Sequence, residues 1–396
     1  MRTLEYRGFG ADGHHARGLV DALSAKEARD KLARTGIFAE RLWPARRPLR
    51  CSTEQRATLY RELSSLLAAG LPLAKALDAI VSAPDLNALA LVAAGMRDDI
   101  REGKSLADSM AGASPSVTEF ELAIVEAAER SGALAPMLDE LASFLEEQTV
   151  LKDKVQNALI YPVFVVTLGI CAGIVMLGLL LPRTRALMSG INISEPALTR
   201  FMRGLGAFLG RWGAPFILLL SAFAVWLARR LRLDPEFRVR CERHLFRAPW
   251  IGRGYTLLIN VRFASTLSVL LRGGVGLVDA IPLAGRATGS RWVAILARRE
   301  AESVRHGSRL SDAIRRIPPL AEQLSGWIQT GEAGGEMTRL LDAASARHRQ
   351  HWERFVSRSL SVLEPILILL IGGFVLLVTL SVLLPLLSLS QAVAPR

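Results

Sequence analysis

Cysteine is scarce in this chain. Three occur in 396 residues, Cys51, Cys171 and Cys241, far apart in sequence, with Cys171 inside an apolar run. They offer no disulfide framework and no zinc-ligand spacing. Lysine is nearly as rare, with six and none beyond Lys154. The Walker loop, the HExxH helix and the GxSxG elbow are all missing, so nucleotide hydrolysis and the commoner peptidase chemistries lack their parts. Residues 1–30 hold no apolar core, and no cleaved signal peptide is expected. The long apolar runs contain no charge at their centres, where Thr167, Ser221 and Thr379 are the most polar side chains. A transporter or channel places polar or charged groups there, so that rival function is poorly supported. An intramembrane peptidase needs paired acids near the bilayer, and Glu364 stands alone.

Repetition is abundant. The segment Leu63 to Leu77, centred on Gly70, returns as Leu267 to Ile281, centred on Gly274, an offset of 204 from 70 to 274. Gly103-Lys-Ser-Leu106 returns as Gly307-Ser-Arg-Leu310 at that offset. Glu129-Arg-Ser-Gly132 returns as Glu332-Ala-Gly-Gly335, and Tyr161-Pro162 as Glu364-Pro365, both displaced by 203, so one deletion reconciles the copies. Each copy ends in an apolar run closed by Leu-Pro, at Leu181-Pro182 and Leu384-Pro385. The repeated unit is therefore a helical domain plus the membrane segment that follows it.

Composition fits that plan: 51% of residues are hydrophobic, enough for two cores and membrane spans. The net charge of +12 is uneven. Residues 1–159 carry 20 basic and 23 acidic side chains, whereas 229–364 carry 23 and 13. Basic excess beside apolar spans suits anionic lipid headgroups, each nearby arginine contributing about 1 kcal/mol. Nucleic acid is not expected as a partner.

Ile160 to Leu181 is uncharged and long enough to cross about 30 Å of hydrocarbon as a helix, and Pro365 to Leu387 is equally apolar. Gly213 to Ala228 is shorter, but Trp212 and Trp226 suit the interface and Arg211 and Arg229 can snorkel. Six arginines from Arg229 to Arg243 follow this middle span, against Arg200, Arg203 and Arg211 before it, which marks the later side as cytoplasmic. Three spans then put the N-terminus in the cytoplasm and the C-terminus in the periplasm. The expected layout is a small α+β module at 1–44, a linker at 45–51, a first cytoplasmic bundle at 52–159 and a span at 160–181. A periplasmic loop at 182–212, a span at 213–228, a second cytoplasmic bundle at 229–364, a span at 365–387 and a periplasmic tail at 388–396 complete it. Within the module, Thr3 to Arg7 and Arg17 to Ala22 read as strands around the Asp12-Gly13 turn, followed by a helix that Ser24 and Glu27 cap. Ser52 with Gln55 makes another capping box, and Gly70 with Pro72 separates two helices. Further helices are expected at about 86–102, 105–111, 116–130 and 134–158, and the plan repeats from about 255 to 363. Helices this short must pack together, so the fold class is mostly α, with two homologous bundles of about six helices each.

Few residues suggest chemistry. Gly8-Phe-Gly10-Ala-Asp-Gly13 matches the dinucleotide string GxGxxG, but no helix opens at its third glycine, and a hairpin turn is the better reading. His14 and His15 lack partners at ligand spacing, and His348, His351 and Glu353 are a weak ligand pattern on a basic helix face. No metal or cofactor is expected. Glu129 and Glu332 each precede a glycine, Gly132 and Gly335, suited to ending a helix in left-handed geometry. An acid there repels the helix dipole, so a neighbouring arginine or a partner protein should offset it. Glu364 takes the place of Tyr161 at the cytoplasmic mouth of the last span, beside Pro365 as Tyr161 is beside Pro162. It is a candidate functional group that also lies near enough to the interface to stay hydrated.

The order of these duplicated segments, with the N-terminal module and a third span between the copies, resembles the type II secretion system F protein family, which includes the platform proteins of type IV pili. Gly70-Leu-Pro-Leu73 and Gly274-Val-Gly-Leu277 match its first segment, Gly103 to Leu106 its second, and Glu129 to Leu134 and Gly331-Glu332 to Met337 its third. Ala128 stands where the family usually has glycine, and Gly276 where it usually has proline. The resemblance implies an inner-membrane assembly platform without catalysis. Its implied partners are a cytoplasmic secretion ATPase, other inner-membrane components and pilin-like subunits. Secretion and pilus systems are not separable on these residues. The glycine-containing spans suit self-association into a homo-oligomer.

Overall fold

A computed structural model describes residues 2–10, 13–22, 25–44, 49–83, 87–175 and 197–393. The expected caps and turns at Asp12 and Ser24, the Leu181-Pro182 closure, and most of the 45–51 linker and the 182–196 stretch lie outside them. The chain divides into two compact units, one of residues 1–151 and 248–350 and the other of residues 152–247 and 351–396.

The first unit opens with β1 (Arg2–Gly10), β2 (His15–Ala22), α1 (Ala25–Arg34) and β3 (Ile37–Pro44). Both outer strands pair antiparallel with β1, in the order β2-β1-β3. The apolar stretch after α1 is thus a third strand, and Ala28 and Leu32 of α1 are buried. The described glycines of the GxGxxG string belong to a hairpin: the Gly10 amide donates to the His14 carbonyl, and Gly13 has φ +77°. At a bulge between Arg7 and Gly8, a side chain on Gly8 would meet the Phe38 carbonyl oxygen at 2.0 Å, so the sheet needs glycine there.

Six helices make the first bundle among the described residues: α2 (Thr53–Ala68), α3 (Leu73–Ser82), α4 (Asn87–Arg101), α5 (Leu106–Ala113), α6 (Glu119–Ser131) and the start of α7 (Leu134–Val175). The Ser52–Gln55 capping box forms at α2, and Thr118 with Glu121 makes another at α6. Leu63, Leu77, Ile124, Leu138 and Leu141 are fully buried, each stabilising the bundle by roughly 2 kcal/mol. Leu49, within the expected linker, is tied to the end of α5 through the Ala113 carbonyl and the Ser114 hydroxyl.

The second bundle repeats the plan with α10 (Ile251–Arg272), α11 (Leu277–Ala287), α12 (Arg291–Arg305), α13 (Leu310–Arg315), α14 (Pro318–Gly334) and the start of α15 (Met337–Val393). Its first helix begins at Ile251, near the residue 255 from which the plan was expected to repeat, and α9 (Pro235–Arg247) precedes it within the 229–364 segment. Gly276 takes φ −56° and ψ 141°, close to the −60° and 146° of Pro72, so the departure from proline leaves the turn unchanged.

The second unit holds the later parts of α7 and α15 with α8 (Ala197–Leu233) and α9 (Pro235–Arg247). Residues 197–212, read from sequence as loop, are the first turns of α8, and 388–393, read as tail, still belong to α15. Gly169 and Gly173 of α7 face Ile371 and Phe374 of α15, where a Cβ would lie 3.2 Å and 3.0 Å from those side chains. Lys154 pairs with Glu353 at 2.8 Å between the same helices. Among the described residues, three helical stretches are long and apolar enough to cross a membrane: Leu134–Gly173, Ile251–Arg272 and Met337–Ser381. The second of these is two-thirds buried inside the bundle, where Ile259, Phe263, Leu267 and Leu270 are core residues, so its apolarity serves packing.

Candidate functional site

Glu129 sits in the last turn of α6, which Gly132 ends at φ +70°; Glu332 sits in the last turn of α14, which Gly335 ends at φ +71°. Only a residue without a Cβ takes this conformation at little cost. The sequence suggested a neighbouring arginine or a partner protein as the offset for each glutamate, and backbone amides also supply one. The Glu129 carboxylate accepts hydrogen bonds from the Leu106 and Ala107 amides at 2.6 and 3.3 Å, and Glu332 accepts from Leu310 and Ser311 at 2.5 and 3.2 Å. Ser311 adds its hydroxyl to Glu332 at 2.5 Å. Each acid thus satisfies the unpaired amides that open the short helix of its own copy, and that helix's positive end offsets the charge. The second and third repeated segments are two halves of one clamp. Gly103 and Gly307, at φ +90° and +93°, turn the chain into the clamped helix in both copies.

A second feature was not read from the sequence. Among the described residues, three ion pairs join the copies within the first unit: Glu119 to Arg286 at 2.6 Å, Glu140 to Arg272 at 2.8 Å, and Glu147 to Arg349. Every acid belongs to the first copy and every arginine to the second. The uneven charge of the halves was the available signal, since part of the arginine excess faces the acidic neighbour. Beside the Glu119–Arg286 pair lies a cleft of about 320 Å³, lined by Phe120, Phe144 and Gln148 of the first copy and Leu283 of the second. Behind it, Glu121 is 1% exposed and accepts from Arg56 Nη1 and the Tyr60 hydroxyl, both at 2.6 Å. Burial, and next the Glu121 charge, push the Tyr60 phenol well above its ordinary value.

Tyr161 and Pro162 lie on α7, and Glu364 and Pro365 on α15. Tyr161 is half exposed and Pro365 exposed, while the Glu364 side chain lies outside the described residues. Among the described residues, no three His, Cys, Asp or Glu side chains gather as metal ligands. His348 instead lies buried, with Nε2 3.2 Å from the Gln323 carbonyl oxygen.

Two copies of one bundle, each closing with a helix that carries an apolar stretch, define a duplicated helical membrane protein. The family described as type II secretion system (T2SS), protein F matches residues 59–182 and again 263–385, one match per copy. The chain belongs to that family. It is 27% identical over 405 residues to the type II secretion system protein F of Pseudomonas aeruginosa, covering 99% of this chain and 100% of that protein. It is 31% identical over 344 residues to the Aeromonas hydrophila protein of the same name, covering 86% and 88%. The type 4 fimbrial assembly protein PilC of Pseudomonas putida is 28% identical over 380 residues, 94% of each chain.

Proposed function

We propose that this chain is an inner-membrane assembly platform of a type II secretion system, coupling a cytoplasmic secretion ATPase to growth of a pilin-like filament. The observation that carries this reading is the family match over both copies. The unbroken helices α7 and α15, of 42 and 57 residues, support it, because each begins in a bundle and continues through an apolar stretch. In this reading the ATPase moves a bundle and the motion passes into the closing helix of that copy, with the energy supplied by the partner. Other inner-membrane components, pilin-like subunits, anionic lipid and further copies of the chain complete the proposed partners. No catalytic step, metal or cofactor is assigned to it. Glu129 and Glu332 serve the role by holding the bundle surface in shape, and the half-exposed Tyr161 and the Glu364 position are candidate contacts near the membrane.

In this reading α8 is the middle span. Its Phe216, Leu218, Leu219, Leu220, Phe223 and Val225 are exposed, as lipid-facing side chains are. Arg347, Arg349, Arg354 and Arg358, ahead of the last apolar stretch, support an orientation with the bundles in the cytoplasm and the C-terminus in the periplasm. Compartment-specific reporters fused to the two ends test this, and a cytoplasmic C-terminus would refute the three-span layout. The pilus reading is kept because a PilC protein aligns over 94% of the chain. Deleting the gene distinguishes the systems. Loss of secreted substrate with all other components still produced supports the first reading, loss of surface pili the second, and loss of neither overturns both.

A further inference from the structure

We infer that α9 is an interfacial helix that binds anionic lipid headgroups through an arginine stripe. The inference rests on the reading of α8 as a membrane span. One residue, Asp234, separates the two helices. Its Oδ1 accepts from the Glu236 and Phe237 amides at 3.1 and 3.0 Å, and its other oxygen lies 3.9 Å from Arg230. The Arg230 guanidinium lies over Trp226 of α8 and Phe237 of α9, at 5.7 and 5.3 Å from the ring centres. The junction is thus fixed where the exposed apolar surface of α8 gives way to the exposed Arg229 and Arg230. A tryptophan followed by arginines marks headgroup depth. The 13-residue α9 starts there and spans about 20 Å.

The faces of α9 are unlike. Arg240, Arg243, His244 and Arg247 are exposed, and their spacing puts them on one side of the helix. Cys241, Leu245 and Phe246 are half-buried. The acids nearby are largely engaged, Asp234 as above and Glu242 with Arg238 at 3.0 Å; the exposed Glu236 lies on the same face as the stripe, at its N-terminal end, so the basic side chains outnumber one acid there. A basic stripe at headgroup depth, continuous with an apolar helix, fits the anionic surface of the bilayer.

The test uses the full chain in nanodiscs of phosphatidylcholine alone or mixed equally with phosphatidylglycerol, followed by hydrogen exchange. Exchange across 235–247 should slow several-fold in the mixed discs, and raised salt should reverse much of this because headgroup attraction is screened. Replacing Arg240, Arg243 and Arg247 together with Gln should abolish the difference, whereas replacing all three with Lys should keep most of it. Equal exchange of 235–247 in both discs, or a difference that survives the Gln replacements, overturns the inference. Exchange of α8 in the same data tests the span itself. A slow α8 in both discs with an indifferent α9 refutes the lipid site alone, and a fast α8 in both refutes the span and the lipid site with it.

Discussion

Where the first copy buries Arg56, Tyr60 and Glu121, the second has Asn260, Ala264 and Leu324 at the same offsets of 204, 204 and 203. In one bundle a carboxylate accepts from a guanidinium and a phenol; in the other, the Asn260 amide donates to the Thr256 and Pro319 carbonyls at 2.8 Å, and Ala264 and Leu324 fill the space. The backbone around them is conserved between the copies even so, down to the glycines at positive φ and the glutamate that holds the neighbouring helix. Frame and filling are therefore separable: the clamps and turns specify the bundle, and its interior tolerates either a charge network or an apolar core. This agrees with the near-neutral exchange of buried ion pairs for well-packed hydrophobes.

The largest expected effect comes from breaking the network halfway. Glu121→Ala leaves the Arg56 charge buried beside an empty place and should cost about 3–5 kcal/mol in chemical unfolding. The combined change Arg56→Asn, Tyr60→Ala and Glu121→Leu, which copies the second bundle, should cost much less, and an equal loss would show that the filling is not exchangeable. Removing either clamp comes next. Glu129→Ala and Glu332→Ala should each cost about 1–3 kcal/mol by leaving helix amides unsatisfied, with Glu332 the more costly because Ser311 adds its hydroxyl. Unchanged melting curves would deny the clamps a structural role.

The Tyr60 phenol has its folded pKa raised above the ordinary 10.0, so between the two values the unfolded chain loses its proton first. Stability is thus complete below about pH 10 and falls as pH rises beyond it. Tyr60→Phe should remove that alkaline slope, which has no counterpart at Ala264. Gly276→Pro should stabilise the second bundle by about 0.4–1 kcal/mol, since the backbone already has the proline conformation. The smallest effect is expected at the seam between the copies. Arg272→Gln removes the pairs to Glu140 and Asp342 at a partly exposed site, and each pair is worth about 0–1 kcal/mol and weakens with salt.

The duplication, the helices between Ser52 and Leu134 and the glycine-ended turns were legible in the sequence because each is a local signal recurring at a fixed offset. The third strand was visible as an apolar stretch but not as a strand, since its partner β1 is distant in sequence. The clamp was half visible. Both of its segments recur, separated by 23 residues from Leu106 to Glu129 and by 22 from Leu310 to Glu332, yet nothing local says that a carboxylate reaches across that gap. The Arg56–Glu121 network and the seam are long-range pairings, and such pairings leave only a faint trace, here the unequal charge of the halves. The repeat of the plan from about 255 was legible because α10 carries the same recurring segments as α2, whereas α9, ahead of it, has no counterpart in the first copy.

The meeting of Gly169 and Gly173 with Ile371 and Phe374 has a mechanical corollary. Bulky teeth seated in notches four residues apart oppose continuous sliding of α7 along α15. Any axial slip favours jumps of one helical pitch, about 5.4 Å. Thrust fed into one rod would then be passed to the other in discrete clicks, as by a pawl.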